Sequence, residues 1–148
     1  MGNRYLVKFE NITPSATEAP TVSSAASRRL RVVEVICAGQ GSTSAAQGLV
    51  MSRSATGTTP TNTVTPTPHP HAEVPAAVFT ANRTWATAPA GAANGIALPF
   101  NALGGGIIWR ATSIIMPLEV RNLEVVVFRL PAGITAQAMT LELMIEED

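Results

Sequence analysis

An all-β fold, either an antiparallel β-sandwich or a jelly-roll-like barrel with a long Thr/Pro-rich extended loop, is what this sequence predicts. Three observations predict it. Apolar residues recur at every second position in several separate runs, clusters of Gly and Pro punctuate those runs, and hardly any stretch sustains the 3.6-residue spacing of a helix. The 148 residues, 46% of them hydrophobic, make one β domain covering residues 1–148, large enough to bury a core without metal or disulfide.

The elements follow in order. Tyr5, Val7 and Phe9 alternate with Leu6, Lys8 and Glu10, a strand with one wet face, and Pro14 ends it because proline cannot donate to a ladder. Residues 15–27 are mostly Ala, Ser, Thr and Pro without a period and read as a loop that pairs briefly at most. Residues 29–38 form a second strand, with Leu30, Val32, Glu34 and Ile36 on one face and Val33, Val35 and Cys37 on the other. A turn at Gly39 and Gly41 precedes a loop and a short strand over residues 49–53, since Gly48 and the short span disfavour a helix there.

Residues 54–75, rich in Thr and Pro, form an extended arm or loop that cannot enter a sheet interior. It either rests as a surface loop or lies over a neighbouring subunit and becomes ordered there. Residues 77–87 alternate again, with Phe79, Ala81 and Trp85 on one side and Arg83, Val78, Thr80, Asn82 and Thr84 on the other. Pro99 makes residues 96–100 an edge strand. Gly104, Gly105 and Gly106 bend the chain into a strand over residues 107–116 that reads as interior, stopped by Pro117.

The closing hairpin carries the strongest pattern. In residues 123–130, Leu123, Val125 and Val127 face one way and Val126, Phe128 and Leu130 the other, so both faces are apolar and the strand is central. In residues 139–146, Met139, Leu141, Leu143 and Ile145 share one face while Thr140, Glu142, Met144 and Glu146 fill the other.

Composition excludes several functions. Ten basic and ten acidic side chains cancel, which argues against a protein that binds nucleic acid by neutralising phosphates. Charged residues are only 14% of the chain, against about 25% in an ordinary domain, and none falls between Thr84 and Trp109. Pro89, Pro99 and several glycines break that run, so it does not read as a membrane helix. The uncharged surface must be rich in Ser, Thr and Ala, or covered by other subunits. Cys37, the single cysteine, reads as a buried thiol in a protein assembled in a reducing cytoplasm. No signal peptide is expected before Tyr5, so the sequons at Asn11 and Asn82 carry no weight.

No catalytic constellation emerges, and the expectation is a protein that is not an enzyme. The only aspartate is Asp148, no Gly-x-Ser-x-Gly turn occurs, and most glutamates fall on faces the alternation exposes. His69-Pro70-His71 has only Glu73 close by, too few donors for a zinc site, and the Gly triplet precedes a strand rather than a phosphate-binding helix. No metal and no cofactor is expected. A sugar-binding module would use Trp85, Trp109 or Tyr5 as stacking rings, but it lacks the aspartates such sites commonly add.

Three features together resemble a known group. They are the opening Met-Gly-Asn-Arg-Tyr-Leu-Val-Lys-Phe-Glu-Asn, the Thr-Pro-Thr-Pro run at residues 65–68 leading to Pro75-Ala76-Ala77-Val78-Phe79, and the acidic end Glu146-Glu147-Asp148. This pattern is similar to small structural proteins of tailed-phage and prophage virions, most like head decoration or cement proteins. The resemblance implies a virion component at the capsid surface, assembled in the host cytoplasm as a homo-oligomer, commonly a trimer, and bound to the major capsid protein. A tail or baseplate component is the alternative in the same setting. The expected subunit or capsid contacts are Pro66, Pro68, His69 and Pro70 on the arm, with Val126 and Phe128 on the strand whose second face the domain core need not fill.

Overall fold

Alternation does produce strands, twelve of them among the residues described by the computed structural model, which are 2–54, 59–69, 75–91, 95–112 and 117–148. They are β1 (Asn3–Ile12), β2 (Glu18–Ser23), β3 (Arg29–Gly39), β4 (Ala46–Ser54), β5 (Pro60–Val64), β6 (Thr67–Pro68), β7 (Thr80–Trp85), β8 (Ile96–Asn101), β9 (Gly106–Arg110), β10 (Leu118–Arg121), β11 (Val125–Arg129) and β12 (Met139–Glu147). The first sheet runs β10-β3-β12-β1-β6, with β9 also on β3, and the second runs β5-β7-β2-β11-β4-β8. All pairs are antiparallel. The result is a sandwich and not a closed barrel.

The connectivity is wound as a jelly roll. β1 pairs with β12, β2 with β11, β3 with β10 and β9, and β4 with β8, so one long two-stranded ribbon is folded with successive pairs in alternate sheets. β5, β6 and β7 are inserted between β4 and β8, and they extend both sheets beyond β1 and β2.

The phase of the first sheet is set by β12. Met139, Leu141, Leu143 and Ile145 are fully buried on its inner face, as their alternation predicts. Each such side chain contributes roughly 1.5–3 kcal/mol. Both neighbours need a bulge to stay in step with it. β1 carries an extra residue between Phe9 and Ile12, where Asn11 takes a φ of 49° that Asn tolerates, and Ile12 thereby returns to the core. β3 carries Val33 as an extra residue opposite Met144 and Ile145. That bulge reverses the expected faces of β3: Leu30 and Val32 point inward, and beyond Val33 it is Val35 and Cys37 that do so, leaving Glu34 and Ile36 outside.

The second sheet corrects several expectations. Residues 18–23, read as loop, form a central strand between β7 and β11. Pro20 is accommodated because it lies where the β2–β7 register shifts, and β11 pairs with β2 only from Thr21 onward. Strand β4 starts at Ala46, earlier than expected. β11 is central as predicted, but both its faces are covered by this chain. Val126 and Phe128 lie wholly within the core, while Val127 packs with Ala19, Trp85 and Ala88 on the other side. Gly91 belongs to the covering segment. Its φ of 75° and the nearness of Val127 Cγ1 and Ser52 Oγ leave no room for a side chain.

Strand β9 is an edge, not an interior strand, and ends at Arg110; part of the expected span, residues 113–116, lies outside the described residues. Gly104 turns the chain at a φ of 71° and the Gly105 N–H donates to the Asn101 carbonyl at 3.1 Å, so the triplet supplies the expected bend. The arm forms edges as its prolines demand: β5 borders the second sheet and β6 the first, with Pro68 opposite Tyr5 and the His69 N–H donating to the Arg4 carbonyl at 2.9 Å. Among the described residues, the arm lies on its own sandwich.

Because Val126 is core, Val126→Glu should prevent folding at every protein concentration, since an unpaired buried charge costs several kcal/mol. Circular dichroism checks this: a variant with the native β spectrum that merely fails to associate would contradict the packing. Burial also pushes the Cys37 thiol up to about 12. Alkylation at pH 8 should therefore track global unfolding, and rapid labelling of the native protein would be inconsistent with this core.

Candidate functional site

Pairing register places side chains in rows across a sheet, because residues directly opposite share a face. On the outer face of the first sheet one row reads Glu119, Arg31, Glu146, Arg4 from β10 through β3 and β12 to β1. Charge alternates at every step. Arg31 Nε donates to Glu119 and its Nη1 to Glu146, both at 3.1 Å, and Nη1 also lies 3.2 Å from Asp148. Arg4 Nε reaches Glu146 at 3.4 Å. Arg29 and Arg121 flank the same carboxylates. Neighbouring rows add Arg110 beside Glu34, and Lys8 at 3.2 Å from Glu142.

The network shifts its own titrations. Partial burial acts to raise the Glu119 pKa, but hydrogen bonds from Arg121 and Arg31, with the charge of Arg29, more than offset it and hold the carboxyl below the usual range. Hydrogen bonds from Arg31 to Glu119 and Glu146, with the Asp148 charge, keep that guanidinium firmly protonated. Next to the ladder lies an open hollow of about 670 Å³ bordered by Arg29, Arg31, Arg53, Arg121, Glu119, Glu146, Val33 and Pro117. A smaller one of about 270 Å³ lies between Arg4, Glu34, His69, Arg110 and Met144. Arginines outnumber carboxylates around both hollows, four to two and two to one, so their borders carry an excess of positive charge.

The second sheet contrasts with this. Its charged groups stand at the margins: Arg83 bonds Glu18 and the carbonyls of Glu10 and Asn11, and Arg129 donates to the Pro89 carbonyl. At the β8 end of this sheet lies an uncharged cleft of about 240 Å³, lined by Ala97 and Pro99 of β8 with Pro131, Ala132 and Ile134. The scarce charge of this chain is thus concentrated on one broad face.

Of the contacts expected from sequence, Pro66 and Pro68 are half-buried on the arm and His69 is exposed beside Arg4, whereas Pro70 lies outside the described residues, as do His71 and Glu73. Val126 and Phe128 are sealed in the core, so neither is available to a partner. The structure does not bring the five described ones together, since Val126 and Phe128 are in the core and the others are on the arm. Tyr5 and Trp85 are buried and Trp109 is half-buried, which removes an exposed stacking platform from the sugar-binding alternative. Among the described residues, no three His, Cys, Asp or Glu side chains converge as metal donors.

Sequence reasoning missed the ladder and a buried glutamate. The ladder depends on register across four strands, which only the bulge in β3 brings into line. Glu147 continues the inner phase of β12 and is only 6% exposed; its carboxylate accepts the Phe79 and Val78 N–H groups at 2.9 and 3.1 Å. Nearby, Tyr5 donates to the Pro75 carbonyl at 2.9 Å, and burial together with the Glu147 charge raises the phenol pKa.

Arg31→Met removes the cation shared by three carboxylates and should cost on the order of 1–2 kcal/mol, given about 0.2–1 kcal/mol for an exposed pair. The loss should shrink in 1 M salt. Because the folded pKa of Glu119 is depressed, its contribution is complete above the unfolded glutamate value of about 4.3 and disappears as pH falls through the lower folded value. Urea midpoints should therefore separate wild type from Glu119→Gln at pH 7 and converge in acid; a gap unchanged down to pH 3 would contradict this. The chain matches no protein family, no curated protein and no solved structure.

Proposed function

We propose that this chain is a non-enzymatic virion structural protein, a capsid decoration or cement component that strengthens a phage head by associating with copies of itself and with the major capsid protein. The observation that carries the reading is the segregation of charge between the two broad faces of the sandwich. A protein held between unlike surroundings benefits from this arrangement: an uncharged face loses little on being covered, whereas the paired charges of the ladder remain hydrated. The opening residues and the Thr/Pro run, similar to those of virion proteins, support the same reading.

Covering an uncharged, partly apolar surface is favourable by about 25 cal/mol per Å². Repetition over a lattice multiplies that gain without any single strong site. The face most suited to the shell is that of β8 and β4, where exposed Ala97 and Pro99 border the uncharged cleft.

Heads assembled without the protein test the proposal. Purified chain should co-sediment with them and raise the temperature at which they release their contents. Ala97→Glu, which alters an exposed side chain, should stay folded and bind at least about tenfold more weakly, because charge placed in an apolar contact costs a kcal/mol or more. Binding to tails but not heads would make it a tail component, and binding to neither would overturn the proposal.

A further inference from the structure

Four sheet margins out of five are guarded. β5 carries Pro60, β6 is two residues long with Pro66 and Pro68 about it, β8 carries Pro99, and β10 carries Glu119 and Arg121 and is followed by Asn122, whose φ is 52°. Prolines, charges and short length are the devices that keep strand edges from pairing with other chains. β9, Gly-Ile-Ile-Trp-Arg, has no proline, and its one charge stands at its end in an ion pair with Glu34 of the same chain.

The free side of β9 can be read from the bonds on its other side. The Ala111 N–H donates to the Val33 carbonyl at 2.8 Å and the Gly39 N–H to the Gly105 carbonyl at 2.7 Å, with Trp109 opposite Val35 and Ile107 opposite Cys37 between them. In an antiparallel ladder the hydrogen-bonded residues alternate, so residues 105, 107, 109 and 111 face β3. Gly106, Ile108 and Arg110 therefore direct their N–H and C=O groups away from the sheet, and no described residue bonds to them there. Ile108 is 59% exposed, the highest value among the large apolar side chains of the described residues.

We infer that β9 pairs with β9 of a second copy of this chain, antiparallel about a two-fold axis at Ile108. That register sets Ile108 opposite its twin and Gly106 opposite Arg110, joining outward groups with outward groups in about six hydrogen bonds. No like charges oppose one another. Arg110 meets a glycine and keeps Glu34, Ile107 meets Trp109 on the inner side, and the Ile36–Ile108 strip of one copy continues into that of the other. A two-fold operation returns each outward residue to an outward partner, so the strand is complementary to itself.

The inference rests on the self-association part of the proposed function and not on a place in the virion. Sedimentation equilibrium of the full chain should show dimers or multiples of dimers. Ile108→Lys places two cations face to face, and Ile108→Pro removes an outward N–H that β3 does not use; each should weaken association about 100-fold or more with an unchanged β spectrum. Mixing Ile108→Lys with Ile108→Glu should restore a one-to-one dimer, because residue 108 then meets its opposite charge. A wild-type chain that stays monomeric at millimolar concentration would overturn both this edge and the self-association reading. An oligomer that both substitutions leave intact, or a Lys/Glu mixture without recovery, would overturn the edge alone.

Discussion

The uninterrupted alternation of Met139–Glu147 is the constraint on which the first sheet depends. β12 lies between β1 and β3 and pairs with both along nearly its whole length. A strand with four fully buried large side chains in strict alternation cannot slip by one residue without exposing all of them. Its neighbours adapt instead. The extra residue in β1 brings Ile12 into the core, and Val33 in β3 does the same for Val35 and Cys37. Carried one step past the apolar core, the same phase drives Glu147 inward, where two backbone N–H groups of the chain leaving the arm meet its carboxylate. The insertion is thereby tied to the core strand.

Register on the inner face dictates chemistry on the outer one. Once Met144 stands opposite Glu34 and Ile145 opposite Val32, Arg31 must lie between Glu146 and Glu119, and the alternating row of charge follows. Without the bulge at Val33 the row would be out of step. A device that preserves the core thus also creates the ladder, and the ladder gathers onto one face much of the charge the chain has. This explains how a domain with 14% charged residues can have one strongly polar surface: the rest is Ser, Thr, Ala and Pro, or is covered by the chain itself. Segment 86–91 does that covering over Val127 and Trp85.

Where side chains were large and the period unbroken, the fold was legible in the sequence. β12, β1 and the central place of β11 could be read from their patterns, and Pro99 marked β8 as an edge; β7 was recognisable as a strand, but an irregularity at Arg83 puts Trp85 with Val127 on the face opposite Phe79 and Ala81. β2 was hidden because Ala19, Pro20 and Thr21 have neither bulk nor clear alternation, and its stability comes from strands distant in sequence. The faces of β3 were misread because a bulge leaves no mark on composition. β9 looked interior because Ile107, Ile108 and Trp109 are apolar, although only one side of it is paired. The second apolar face of β11 was expected to await another subunit, but residues 86–91 fill that place, and nothing in their Ala- and Pro-rich sequence announces it. The candidate site was less legible than the fold, since a ladder is a property of pairing and not of any one segment.

The inserted strands explain why the two sides of the sandwich differ. β5, β6 and β7 extend the sheets at the β1 and β2 side and finish both with proline-bearing edges. At the opposite side the first sheet ends in β9 and β10, laid in succession along β3; β10 carries Glu119 and Arg121, whereas the charge of β9 is Arg110 at its end, paired with Glu34. A self-pairing edge of this kind closes at two copies. A trimer built on the same edge would need the strand to meet a different partner surface on each neighbour, which an isologous contact does not permit. Three-fold assembly therefore requires a second, heterologous surface, and the uncharged face of β4 and β8 is the one that charge leaves open. The β9 edge and the β4–β8 face lie on the same side of the sandwich, where β8 turns directly into β9, so on the proposed reading one side of the domain carries both the sibling contact and the shell contact.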